Sequence, residues 1–514
     1  MSVLSPPHAE ATRPRPAALP LLTWELLVAL TVLGGIGVAG LVRGPGLWYD
    51  DAYSLAMADQ SWGDLLVDVR MQEVNNAGYY GFLHLWALVS HDLWWLRLPG
   101  VLAALATTVL LARVAGRAGD RWTLRVSLLV MVGLYGTWDG MLGMRGYPFS
   151  MLLGALAVVL LLDLTDRPDT SRARSVARAL VLIGVAALAT IVNLLLLLLV
   201  LALLVVAAAR RSRPATVALA VAVLPGAAMW LLAVSADRGQ VDWIPSLGPM
   251  SIAIQLGLLV GSLVGLVALV LAGVLALGTA AVSMGSATLE RRRLLAMAFA
   301  WGAGGVVGIL VLSLVKPLLQ GRYLLFCVPG IALLLGVAAG AALADRRRLV
   351  RTAGVTVVVL VLVAVAGNVE RSLGSPPWGE REDLSAAAAL IRDEQRPGDA
   401  LDYLTPIART PFDQMLRAAF GGPSPLVDVT RNPSAARWDV GGERSAEIDP
   451  AAYAPALAAA PGRLWVVSRQ TVTGELPTSG PVVEARDADL ARRTLLLDRQ
   501  FGWMHVQLYS ARRG

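Results

Sequence analysis

Long apolar runs separated by short polar breaks fill the chain from Leu21 to Gly367. A helix that crosses a bilayer needs about 20 apolar residues. The runs near 21–41, 93–113, 124–142, 147–165, 179–192, 194–209, 215–234, 263–283, 294–314, 323–344 and 349–367 therefore predict eleven spans. The stretch from Arg178 to Ala209 is too long for one helix, and Asn193 divides it into two short ones. With residues 1–20 as a cytoplasmic tail and 21–41 as a retained first helix, the arginines sort by side. Arg113, Arg117, Arg121, Arg125, Arg167, Arg172, Arg174, Arg178, Arg210, Arg211, Arg213, Arg291, Arg292, Arg293, Arg346, Arg347, Arg348 and Arg351 fall inside. The external breaks between spans and their edges hold only Arg43, Arg70, Arg97, Arg145, Arg238, Lys316 and Arg322, which is the positive-inside asymmetry and which depends on the division at Asn193.

Three regions break the pattern. In the first external loop, 43–92, the aromatic stretch Gly78-Tyr79-Tyr80-Gly81-Phe82-Leu83-His84-Leu85-Trp86 is too short to span and suits a helix lying in the interface. A second external loop, Ser235 to Met250, carries Asp237, Asp242 and Trp243. After the last span Ser375-Pro376-Pro377-Trp378 reads as a linker, so the membrane part covers 21–367 and a soluble extracytoplasmic α/β domain covers 368–514. There an amphipathic helix is predicted at Leu384 to Asp393, with strands at Ala400 to Leu404, Leu426 to Val429, Leu464 to Ser468 and Trp503 to Tyr509.

Composition agrees: of 514 residues 56% are hydrophobic and 16% charged, and the mean hydropathy is +0.62. The chain is an α-helical polytopic membrane protein. Its net charge of +7 reflects topology, not a nucleic-acid surface, because the arginines sit in breaks between apolar runs. The arginine-, alanine- and leucine-rich usage fits a GC-rich bacterial genome, and the location that of a plasma membrane. One cysteine, Cys327, excludes an intramolecular disulfide framework. The C-terminal domain has no GxGxxG after a strand and no Walker loop, and the chain has no GxSxG or HExxH.

Candidate chemistry gathers on the external side. Trp48-Tyr49-Asp50-Asp51-Ala52-Tyr53-Ser54 places two adjacent carboxylates whose side chains diverge on a helix or turn. Their plain reading is as caps of a helix beginning near Ala52. Glu73, in Glu73-Val74-Asn75-Asn76, adds a third acid that could divide acid/base and cation-binding work with the pair. Arg145, in Gly143-Met144-Arg145-Gly146-Tyr147, stands at the mouth of two spans. Lys316, the only lysine, and Arg322 share the turn Lys316-Pro317-Leu318-Leu319-Gln320-Gly321-Arg322-Tyr323. Such cations suit a lipid phosphate, the arginines by a forked contact and the lysine as a point charge; the plain alternative is anchoring to headgroups. His84 and His91 have no partner at a metal-ligand spacing; no nucleotide site is required, no particular cofactor is implied, the metal is unknown, and a divalent cation at the acids stays open.

In their order and shared side these motifs resemble the GT-C integral membrane glycosyltransferases. The resemblance is to the protein O-mannosyltransferase and aminoarabinose-transferase branch, family 39, over about Trp48 to Ala344. It is strongest at Tyr49 to Ser54, Tyr79 to Trp86, Arg97-Leu98-Pro99, Arg145 to Tyr147 and Gly321 to Pro329. It implies a GT-C-like fold and inverting transfer of a hexosyl or pentosyl group, mannosyl included, from a polyprenyl-phosphate sugar to an extracytoplasmic acceptor. Asp50 would be the base, supported by Asp51 where family members carry Glu, with Glu73 as second acid. The family's His-Pro-Pro after that acid is Asn75-Asn76-Ala77 here. Arg145, Arg322 and Lys316 would hold the donor phosphate, with Tyr53, Asn75, Asn76, Tyr79, Tyr147 and Tyr323 lining the substrates. A non-catalytic polyprenyl-phosphate-glycolipid binding protein or transporter is the alternative, although transporters place charges at mid-membrane.

Overall fold

A computed structural model describes residues 22–43, 47–71, 73–166, 171–236, 241, 244–283, 288–374, 383–404, 409–432, 448–469 and 480–512. The tail 1–20, the loop residues Asp237, Asp242 and Trp243, and the linker Ser375 to Trp378 lie outside them.

The membrane part runs α1 (Trp24–Arg43), α2 (Tyr49–Ala58), α3 (Trp62–Met71), α4 (Ala77–Ala87), α5 (Leu93–Gly116), α6 (Arg121–Gly133), α7 (Tyr135–Leu142), α8 (Tyr147–Asp166), α9 (Arg172–Val192), α10 (Leu196–Ala209) and α11 (Arg213–Ala236). It continues through α12 (Pro249–Val260), α13 (Leu263–Ser283), α14 (Leu289–Ala298), α15 (Gly304–Leu312), α16 (Val328–Leu343) and α17 (Arg348–Gly374). Among the described residues nine helical segments are long and apolar enough to span. They match nine of the eleven expected spans. The other two fall on helices of a different build: 124–142 is broken at Leu134 into α6 and α7, and 194–209 is α10, 14 residues long.

Each irregularity has an identifiable hydrogen-bond partner. At Leu134 the backbone turns extended, and Asn368, fully buried in α17, donates from Nδ2 to the Gly133 carbonyl at 2.7 Å, satisfying a group the break would strand. At Asn193 the backbone leaves the helix, and its Oδ1 accepts from the Leu195 amide at 3.0 Å. The division expected there is present. A π-turn, Phe299–Ala303, joins α14 to α15 and presents the buried Trp301 indole, which donates to the Phe326 carbonyl at 2.9 Å. Phe326 belongs to a 3₁₀ segment, Gly321–Cys327, that leads into α16.

The arginine-rich breaks meet at one end of the bundle. Arg117 pairs with Asp163 and, at 3.2 Å, with Asp166; Arg210 and Arg293 reach the same Asp166 at 3.2 and 3.5 Å. Arg291 pairs with Asp120 at 2.8 Å and Arg125 with Glu25 at 3.2 Å. The first loop lies at the other end. Its aromatic stretch forms α4, an 11-residue helix too short to span. The Trp86 and Trp95 rings stack at 4.2 Å while each indole donates to the other's carbonyl, at 2.8 and 3.1 Å, which clips α4 to α5.

Beyond α17 come α18 (Leu384–Glu394), β1 (Ala400–Tyr403), α19 (Arg409–Phe420), β2 (Val427–Asp428), α20 (Pro450–Ala458), β3 (Leu464–Arg469), α21 (Pro481–Leu490), β4 (Leu495–Phe501) and β5 (Met504–Tyr509). The sheet order is β2-β1-β3-β5-β4. β1 is parallel to β2 and β3, with Ala400 opposite Leu464, and β5 is antiparallel to β3 and β4. The paired parallel strands β1 and β3 are wholly buried, as strands covered on both faces are. β4 was not expected: it is an edge strand with mostly exposed side chains, so burial never imposed alternation on its sequence. This domain sits on the first loop. Leu384 donates to the Leu47 carbonyl at 3.1 Å, the Leu47 amide donates to Ser385 Oγ at 3.2 Å, and Tyr53 and Met57 of α2 share a core with Met415 and Trp465.

Candidate active site

The loop acids lie in the first turn of α2, which begins at Tyr49, three residues before the expected start. Aspartates suit a helix N-terminus, yet both are buried, Asp50 at 7% and Asp51 at 1% exposure, so solvent does not neutralise them. Charges out of water need partners. Asp51 has two: its Oδ1 accepts the Met144 amide at 2.8 Å, and its Oδ2 faces Arg97 Nη2 of α5 at 3.3 Å. Burial pushes the Asp51 carboxyl up, and Arg97 and the amide oppose the rise.

Asp50 points elsewhere. Its Oδ1 lies 3.3 Å from Arg145 Nη2 and its Oδ2 lies 3.0 Å from Arg322 Nη1, so one carboxylate joins the corner before α8 to the 3₁₀ segment before α16. Arg145 also stands 3.9 Å from Glu73 Oε2 and donates from Nη1 to the Tyr80 hydroxyl. Tyr80 in turn donates to Glu73 at 2.9 Å, and Asn76 Nδ2 donates to the same oxygen at 3.1 Å. Burial holds the Tyr80 phenol well above its usual range, so it stays a donor.

Aromatic rings seat the cations. Arg322 lies 5.6 Å from the Trp48 ring and 5.8 Å from Tyr323, and Arg145 lies 5.8 Å from Tyr53. Arg469, at the end of β3, lies 4.3 Å from Tyr49 and 5.8 Å from Trp503. Each aromatic residue in 48–53 thus backs an arginine from a different part of the chain, within cation–π range. The position of Arg322 depends on α12: the Gly321 amide donates to buried Gln255 at 2.9 Å.

Of the residues expected to form a site, Asp50, Glu73, Asn76, Tyr53, Arg145, Arg322 and Tyr323 share this cluster, and the Tyr147 ring lies 6.1 Å from Tyr323. Asn75 faces away and accepts the Leu194 amide at 3.3 Å, while Tyr79 packs on Phe149 at 5.9 Å. Lys316 is half-buried, six residues before Arg322. Tyr80 and Arg469 were not anticipated. Tyr80 lay within the aromatic stretch Tyr79 to Trp86 but was not singled out there, and nothing in the sequence pointed from Arg469 to Tyr49. Among the described residues no group of three or more His, Cys, Asp or Glu is arranged around a common centre for a metal.

The helical bundle with its C-terminal domain has the fold of solved membrane proteins of the GT-C type. It is similar to ArnT from Cupriavidus metallidurans in the apo state, with a TM-score of 0.58 at 13% identity, covering 94% of this chain and 97% of that one. Against the same protein bound to undecaprenyl phosphate the TM-score is 0.53 at 12% identity, with the same coverage. No family model and no curated protein sequence matches the chain.

Proposed function

We propose that the protein is an inverting glycosyltransferase that moves a sugar from a polyprenyl-phosphate donor to an acceptor hydroxyl on the extracytoplasmic face of the membrane. The observation that carries this reading is the buried Asp50 carboxylate set between the guanidiniums of Arg145 and Arg322. One group there can take a proton and two can neutralise a phosphate, which are the two demands of displacement at an anomeric carbon. ArnT from Cupriavidus metallidurans is bound to undecaprenyl phosphate in one of its structures, which supports a lipid phosphate as the ligand of this chain too. The arginine-rich helix ends lie opposite the site, which supports an extracytoplasmic active face by the positive-inside rule.

In this mechanism Asp50 accepts the acceptor's hydroxyl proton as the oxygen bonds to the anomeric carbon. The bond from that carbon to the phosphate oxygen breaks, and Arg145 and Arg322, with Lys316, balance the charge on the departing phosphate. Asp51 acts through Met144 and Arg97, holding the Arg145 corner in place, and Glu73 orients Arg145 through Tyr80. Tyr53, Asn76, Tyr147 and Tyr323 line the substrates, with Asn75 and Tyr79 shaping the wall behind them. The C-terminal domain covers the acceptor side. The transferred group is a hexose or pentose, with mannosyl donors the first to try.

The test is transfer by purified protein from labelled polyprenyl-phosphate sugars to glycan, lipid and peptide acceptors, with and without a divalent cation, for wild type and Asp50→Asn. The variant should lose about a hundredfold or more in kcat. Undiminished transfer would reject Asp50 as base. Binding of the lipid without consumption of any donor would favour a glycolipid-binding protein or transporter.

A further inference from the structure

We infer that in the empty site the Asp50 carboxylate occupies the seat of the donor phosphate, and that the arriving phosphate takes over the arginines and releases Asp50 to act as base. This rests on the transferase reading and adds an order of events to it. Both oxygens of Asp50 are engaged, one by each guanidinium, at 3.3 and 3.0 Å. Carboxylate and phosphate are recognised by the same forked donors. Asp50 and Arg145 are both more than nine-tenths buried, so the guanidinium needs an anion beside it when no ligand is present.

Formal charge makes the exchange competitive. Asp50 and Glu73 cancel Arg145 and Arg322, with Lys316 outside that sum, so a phosphodiester meets arginines that are already neutralised. It must contend with a carboxylate already in place. Glu73, at 3.9 Å and held by Tyr80 and Asn76, is tethered apart from the exchange. A carboxylate between two cations is a weak base, because each cation favours its ionised form. Released from them, it gains basicity once the donor is in place. The chemical step then leaves the total charge unchanged: Asp50 goes from minus one to neutral as it takes the acceptor's proton, while the phosphate goes from diester monoanion to monoester dianion. Negative charge passes from one anion to the other in front of the same two arginines.

The experiment measures equilibrium binding of undecaprenyl phosphate to the full-length protein in lipid nanodiscs for wild type, Asp50→Asn, Asp50→Ala and Asp50→Glu. Removing the competing anion should tighten binding in the Asn and Ala variants by about tenfold, equivalent to one displaced ion pair of about 1.4 kcal/mol, while Glu stays near wild type. Equal or weaker binding in the two neutral variants would overturn the exchange. A second measurement needs no variant: a structure of the wild type with undecaprenyl phosphate should have both Asp50 contacts opened, and intact contacts beside bound phosphate would overturn it. The readout is binding, so absence of transfer would reject the transferase alone, and unchanged affinity would reject the exchange alone.

Discussion

Asp50 and Asp51 are neighbours with opposite assignments, and their partners decide which is which. Asp51 and Arg97 have side chains only 2% and 3% exposed, so removing either leaves a buried charge uncompensated. Arg97→Gln should therefore lower stability by about 3 kcal/mol, read as a fall in thermal midpoint; a shift within error would show that the pair is dispensable. Arg322→Lys keeps the charge but loses the planar fork and its stacking between Trp48 and Tyr323, so undecaprenyl phosphate binding should weaken about tenfold. The acids, Arg145 and Arg322 were legible in the sequence because each is a charge at the edge of an apolar run. Which acid meets which arginine was not, since Asp51 and Arg97 are separated by 46 positions and no local pattern encodes the match.

Among elements, the 3₁₀ segment that carries Arg322 is the most constrained. A Cβ on Gly321 would strike the Gln255 carbonyl and lie 3.2 Å from the Leu259 amide nitrogen, both backbone atoms of α12. Gly321→Ala should therefore move Arg322, cutting phosphate affinity while the helices stay folded, which circular dichroism and a lipid-binding titration would separate. Trp301→Phe removes the indole bond to the Phe326 carbonyl and should cost about 1–3 kcal/mol. Spans could be read from the sequence because hydrophobic length is a local property. The break at Leu134, the π-turn and β4 could not, because a distant asparagine, a facing 3₁₀ segment and a sheet edge set them.

For the whole molecule, the C-terminal domain touches the turn that carries the candidate site. Arg469 and the α18 contacts at Leu47 bear on the turn that carries Asp50, so a chain ending after α17 should insert in the membrane yet lose transfer; retained activity would show that the domain is accessory. That domain also carries a pH signature. Burial pushes the Asp402 carboxyl up to about 6 although Tyr453 donates to it at 2.8 Å. An unfolded aspartate titrates near 3.9, so between about pH 4 and 6 the folded state holds a proton that the unfolded state lacks. The stabilisation is complete below that window and is lost as pH rises through it. Asp402→Asn should thus gain thermal midpoint relative to wild type as pH goes from about 4 to about 6, and a constant difference would refute the assignment.

The contact between residue 47 and residues 384–385 joins a part made early in synthesis to one made after every span. A nascent chain with all its helices in the bilayer still has an unbraced acid turn. On the transferase reading, the turn that carries Asp50 is braced only once residues 384–385 have been made, so the order of synthesis sets the order in which the site is assembled.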